Sequence, residues 1–70
     1  MATYNVVLLD KDGYETANDV VDGLSAAKKT AAYLLSADYA KAVESTHETL
    51  GTDKVEVRNE SGECVWDRSL

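Results

Sequence analysis

The stretch S-A-A-K-K-T-A-A-Y-L-L, Ser25 to Leu35, decides the fold. Together with Leu24 it carries apolar residues at i, i+3 and i+4: Leu24, Ala27, Ala31, Leu34 and Leu35 fall on one face of a helix. Ala26, Lys29 and Tyr33 take the opposite face and are expected to point outward. Alanines on the inner face let such a helix lie close to a sheet. Asp22-Gly23 turns the chain into it, and Ser25 reads as its N-cap, the hydroxyl accepting from a backbone N–H of the first turn.

Further helix would carry Asp38 into the apolar stripe, so the helix is expected to stop. Ser36 then caps a second one, from about Ala37 to Glu44. Ser45-Thr46-His47-Glu48 follows, a match to the capping box S-x-x-E, with Gly51 where a terminating glycine belongs. Thr46 to Leu50 is therefore expected to form one last short turn.

Strands flank this helical region. Thr3 to Asp10 (T-Y-N-V-V-L-L-D) is rich in strand formers and ends at the turn Asp10-Lys11-Asp12-Gly13, whose glycine suits a type I turn closed by a glycine bulge. The returning arm from about Tyr14 is poorly patterned and is expected to bulge or break before Val20 and Val21. After the helices, Lys54-Val55-Glu56-Val57-Arg58 alternates cleanly as a half-buried strand, Asn59-Glu60-Ser61-Gly62 is a second turn, and Glu63 to Asp67 returns. Two registers fit this hairpin. A two-residue loop sets Val55 and Val57 opposite Trp66 and Cys64, with Lys54 and Arg58 facing Asp67 and Glu63. A glycine bulge sets Val57 opposite Val65 and moves Cys64 and Trp66 to the other face. Side-chain pairing favours the first and turn chemistry the second.

The order β-β-α-β-β, with the helical part broken, implies an α+β fold: a four-stranded antiparallel sheet with helix on one face. Seventy residues make one small domain with a thin core. Cys64 is the only cysteine, which removes any disulfide within the monomer and fits a reducing compartment. No apolar run is long enough to span a membrane and no signal-peptide pattern is present, so a cytoplasmic protein is expected. Proline is absent and glycines number only 4, a composition that argues against disorder.

Val6-Val7-Leu8-Leu9 is apolar at four successive positions, and Val20-Val21 and Cys64-Val65-Trp66 continue the pattern, so both faces of the sheet carry apolar side chains. One helical layer covers one face. The other is expected to need a loop, a second copy or a partner.

No catalytic, nucleotide-binding or metal-binding motif occurs, and no cofactor is implied. His47, the sole histidine, sits in a polar capping segment and reads as a surface residue rather than a general base. Cys64 reads as a buried or half-buried structural cysteine, since acidic neighbours raise a thiol's pKa. One His and one Cys do not build a tetrahedral zinc site unaided. Asp10, Asp12, Glu15, Asp19 and Asp22 cluster against Lys11 alone. This is not a calcium loop, because Leu8 stands where the first ligand before Gly13 belongs; it reads as a solvated acidic rim.

Charge narrows the choice of partner. Asp and Glu number 13 against 7 Lys and Arg, net −6, which repels phosphate at long range. Solubility accounts for this simply; the sharper reading is a surface for a basic partner, or one that imitates the charge of nucleic acid. The helix bearing Lys28, Lys29 and Tyr33, with Lys41 beyond it, is the one mildly basic region, and a nucleic-acid-binding role for it is a competing reading.

Size, element order, the helix start G-L-S-A-A-K-K (residues 23–29) and the closing G-E-C-V-W-D (residues 62–67) resemble small uncharacterised proteins of bacteria and their phages or prophages, among them inhibitors of host defence, including anti-CRISPR proteins. The resemblance implies non-enzymatic binding to a host protein or protein–nucleic-acid complex. The sequence thus points to a binding module acting through protein contact, with Asp10, Asp12, Glu15, Asp19, Asp22, Tyr33 and Trp66 as partner-contact candidates. A self-associating homodimer is the other competing reading.

Overall fold

The computed structural model describes residues 2–70. β1 (Thr3–Asp10) and β2 (Glu15–Asp22) form a hairpin, followed by α1 (Leu24–Leu34), α2 (Ala37–Ala42), α3 (His47–Leu50), and a second hairpin of β3 (Thr52–Arg58) and β4 (Cys64–Ser69). The strands make one antiparallel four-stranded sheet in the order β2-β1-β3-β4. The helices lie on one face of it. This is the α+β layout read from the chain.

Val6 and Leu8 of β1 and Val55 and Val57 of β3 are fully buried beneath Ala27, Ala31 and Leu34 of α1, and together they form the core. Ala26, Lys29 and Tyr33 face outward as the helical spacing requires. The alanines bring α1 close to β1, β2 and β3. Ala17 on β2 leaves room for it, while Trp66 on β4 fills the opposite flank of the core.

The helix starts earlier than the Ser25 cap implied. Gly23 is the N-cap of α1, without any side-chain cap bond. The Gly23 N–H donates to Ala2 O at 2.9 Å, fixing the end of the hairpin, and its carbonyl accepts from Ala27 N–H at 3.0 Å, so the first helical turn begins at once and Ser25 lies inside it. Ser36 caps α2 as expected, accepting from Tyr39 N–H at 3.3 Å, but α2 ends at Ala42 because Glu44 turns to φ 56°. For α3 the cap is Thr46, not Ser45: the Thr46 hydroxyl accepts from Thr49 N–H at 3.1 Å, and Gly51 closes the turn in the left-handed region.

The two hairpins share one construction. In each turn an Asx side chain accepts two backbone N–H groups: Asp10 Oδ1 from Asp12 and Tyr14 at 2.9 Å each, Asn59 Oδ1 from Ser61 at 3.0 Å and Glu63 at 2.9 Å. The glycine three residues on, Gly13 at φ 84° and Gly62 at φ 83°, closes the glycine bulge. Each returning strand then bulges again, at Thr16 and at Val65. β2 therefore bulges before Val20 and Val21, one of the two outcomes its composition suggested, and then runs on to Asp22.

The second bulge decides the register of the closing hairpin, and neither reading of it survives whole. The turn is the glycine-bulge kind, yet Val57 pairs with Trp66, Val55 with Arg68 and Arg58 with Cys64, because Val65 is the extra residue. Cys64 moves to the far face while Trp66 stays on the helical side.

The pairs Asn5–Arg58 and Leu9–Lys54 exchange under a two-fold axis through Val7–Glu56, as do Val6–Val57 and Leu8–Val55. The flanking pairs obey the same exchange: Leu8–Ala17 with Val57–Trp66, and Leu9–Glu15 with Arg58–Cys64. The sheet is a pseudo-symmetric pair of hairpins. Gly13→Ala and Gly62→Ala, whose added Cβ atoms meet nothing within 4 Å, are accordingly expected to cost the same, about 1–2 kcal/mol each from the left-handed backbone alone. Being at opposite ends of the sheet, they should add in the double variant. Urea unfolding of the three variants checks this; a twofold difference between the singles would break the equivalence.

Candidate functional site: the acidic hairpin and the far face of the sheet

On the far face of the sheet the two central apolar side chains are already covered. Val7 is 1% exposed and Leu9 5% exposed within the single chain. Arg58 of β3 reaches across β1 to Glu15 of β2 at 3.2 Å and holds Glu56 at 2.9 Å, and Lys54 holds Glu56 at 3.0 Å. The line from Arg58, opposite Asn5, to Glu15, opposite Leu9, passes over Val7. These long side chains run along the face around Val7 and Leu9, with Arg58, Lys54 and Glu15 partly exposed and Glu56 largely covered. Of the covers expected for this face (a loop, a second copy or a partner), Val7 and Leu9 need none, because an ion-paired row from the chain itself lies there. Of the apolar residues on this face, Val20 at the β2 edge stays open, 63% exposed.

The row sets its own charge states. The Glu56 carboxyl is held below its ordinary pKa, chiefly by its bond to Lys54 and then by that to Arg58, with burial opposing. Lys54 is raised, chiefly by its bond to Glu56. A carboxylate lowered by folding binds fewer protons in the native state than in the unfolded one. Its stabilisation is complete above the ordinary carboxylate pKa and is lost as pH falls through the lowered one. Urea midpoints of the native protein are expected to fall on acidification below about pH 4.5, and Glu56→Gln should show a shallower fall. Parallel curves for the two would remove Glu56 from that account.

Glu56, Cys64 and Asp67 bring their ligand atoms within 4.8 Å of one another on this face. The sequence did not show this grouping, since it depends on the Val65 bulge. Both Glu56 oxygens already face Lys54 and Arg58, so those side chains supply the positive charge there. Cys64 is exposed, not buried: the bulge turns it out of the core, and its thiol lies 3.5 Å from Trp66 O.

The five acids of the first hairpin stay together on β1, its turn and β2, but most have local partners. Asp10 closes the turn, Glu15 holds Arg58, Asp19 Oδ1 accepts from Val20 N–H at 3.0 Å, and Asp22 accepts from the Thr3 hydroxyl at 3.1 Å. Asp12 has no hydrogen bond or ion pair from its carboxylate among the described residues. Tyr14, 71% exposed, stands beside it at the turn. Neither Tyr14 nor Val20 is among the partner-contact candidates of the sequence, although Val20 is counted there among the apolar residues needing cover; the weak strand pattern of the returning arm is the signal for Tyr14.

The other partner-contact candidates lie elsewhere. Tyr33 is exposed on the outer face of α1, edge-on to Tyr39 at 5.8 Å, with exposed Lys28 and Lys29 on the same helix. Trp66 packs on the core from β4 with the Arg68 guanidinium 5.2 Å from its ring centre, so it is half-buried and not on the acidic rim. His47 is half-buried rather than free on the surface: both ring nitrogens are bonded, to Ser36 O at 2.8 Å and Thr52 Oγ1 at 3.1 Å. Among the described residues there is no cavity for a small molecule and no helix long and apolar enough to cross a membrane. No protein family, no curated protein and no solved structure matches the chain.

Proposed function

We infer that this protein is a small acidic, non-enzymatic binding module that works through protein–protein contact, its β1–β2 hairpin engaging a basic partner. One observation carries the reading: Tyr14 and Val20 stand exposed on a strand and turn whose other outward groups include Asp12, Glu15, Asp19 and Asp22. An exposed tyrosine is a frequent binding hot spot, and Val20 extends the apolar contact beside it. The acids steer a cationic partner and reject an anionic one. The exposed, unpaired Cys64 fits a reducing, cytoplasmic setting. The resemblance to small prophage proteins makes a host protein the natural candidate for the partner.

The test exploits the two side chains of this rim with the least structural duty. Wild type and an Asp12→Lys/Tyr14→Ala variant are used as baits in host lysate, with circular dichroism confirming equal folding. A protein retained by wild type and lost from the variant supports the reading. Equal retention by both overturns it.

A further inference from the structure

We propose that the partner binds as a basic extended strand added to the free edge of β2, with Asp19 as the latch that admits it. The proposal rests on the acidic-hairpin reading and specifies its binding mode.

Backbone direction supplies the first step. The Gly23 N–H bonds to Ala2 O, and the register from there to Leu8–Ala17 is unbroken. In an antiparallel pair, bonded and non-bonded positions alternate. Val21, Asp19 and Ala17 therefore bond to β1, and the N–H and C=O groups of Asn18, Val20 and Asp22 point away from the sheet. The Asp19 carboxylate confirms this, because it takes the Val20 N–H at 3.0 Å, a bond open only to an N–H outside the ladder.

This edge is the longer of two. On β4 the Leu70 N–H bond to Asp53 O leaves two positions, Asp67 and Ser69, pointing outward beyond the Val65 bulge, against three on β2 beyond its own bulge at Thr16. β2 offers three successive outward positions, all exposed, with no proline and no lysine among the devices that commonly block an edge. Its protection is the Asp19 carboxylate on the central N–H.

Charge names the occupant. A lysine or arginine on an incoming strand draws the Asp19 carboxylate to itself and so frees the Val20 N–H for a ladder bond. A neutral or acidic strand offers no such exchange and finds the edge closed. Glu15 and Asp22 give further cationic contacts on the far face, and Val20 supplies the apolar one. Strand addition of this kind takes affinity from backbone bonds and selectivity from side chains.

The experiment is an NMR titration of the labelled full chain with a short peptide of alternating lysine and valine, with amide hydrogen exchange read at saturation. Binding that slows exchange at Asn18, Val20 and Asp22 by about tenfold or more supports the proposal, since those amides would enter ladder bonds. Binding that shifts Asp12, Tyr14 and Asp19 but leaves those three amides exchanging as before overturns strand addition and leaves the acidic-hairpin reading standing. Absence of binding, or equal binding of a glutamate–valine peptide, overturns both. Asp19→Ala tests the latch separately. It should speed Val20 exchange in the free protein and let a neutral threonine–valine peptide bind; if neither change occurs, Asp19 does not guard the edge.

Discussion

Leu8→Ala is expected to lower the melting temperature by at least about 10 °C, the largest effect of any single truncation in the chain. Leu8 is the largest of the fully buried side chains. It stands on a central strand, between Ala17 of β2 and Val55 of β3, under α1. Shortening it removes the transfer energy of the lost carbons and leaves a cavity that a closely set helix cannot fill, about 2–5 kcal/mol in comparable cores. A small domain has about 5–15 kcal/mol in all, and this core is thin. In a chain of this size each kcal/mol moves the midpoint by about 4–8 °C. Val65→Ala is the control: at 45% exposure in a bulge, it should stay within about 0.5 kcal/mol of wild type. A Leu8→Ala midpoint within a few degrees of that control would mean the core is not centred on β1.

The chain announced its architecture through local chemistry. The spacing of Ala27, Ala31 and Leu34, the Asx-to-glycine turns at Asp10–Gly13 and Asn59–Gly62, and the Ser36 cap each rest on a few adjacent residues, and each appears where expected. What failed was non-local. The register of β3 and β4 turns on Val65 being expelled as a second bulge, a choice settled by Trp66 reaching the core from the flank α1 leaves open. The covering of Val7 and Leu9 depends on Arg58 and Glu15, distant in sequence, meeting across β1. The pseudo-two-fold axis was hidden because the equivalent positions hold unlike residues, Ala17 against Trp66 and Glu15 against Cys64. With Val7 and Leu9 covered from within the chain, the open apolar side chain of β2 on this face is Val20, at the sheet edge. Acidic composition suggested that hairpin, but Tyr14 and Val20 gained meaning only when their exposure was seen.

His47→Ala should cost about 1–3 kcal/mol, more than a surface histidine would, because the nearly buried Thr52 hydroxyl loses its partner, while Ser36 O keeps the Ala40 N–H at 3.5 Å. A carbonyl oxygen only accepts, so Nε2 carries the proton donated to Ser36 O, and in the neutral ring Nδ1 accepts from the Thr52 hydroxyl. Thr52 is 6% exposed and has little access to water in exchange. The ring also stacks on Tyr39, 6.5 Å between centres. These ties join α3 to the start of α2 and to β3, and α3, at 4 residues, has no stability of its own to fall back on. The capping sequence around His47 concealed this, since Thr46 serves the cap and leaves the next side chain free to turn inward. Adding Thr52→Val to His47→Ala distinguishes a lost bond from lost packing. With the Thr52 hydroxyl gone as well and Ser36 O still accepting from Ala40 N–H, neither of the imidazole's former partners is left unpaired, so the double variant should be less destabilised in chemical denaturation than the sum of the singles, by about 1 kcal/mol or more. Simple additivity would show that the imidazole only fills space between α3 and the sheet.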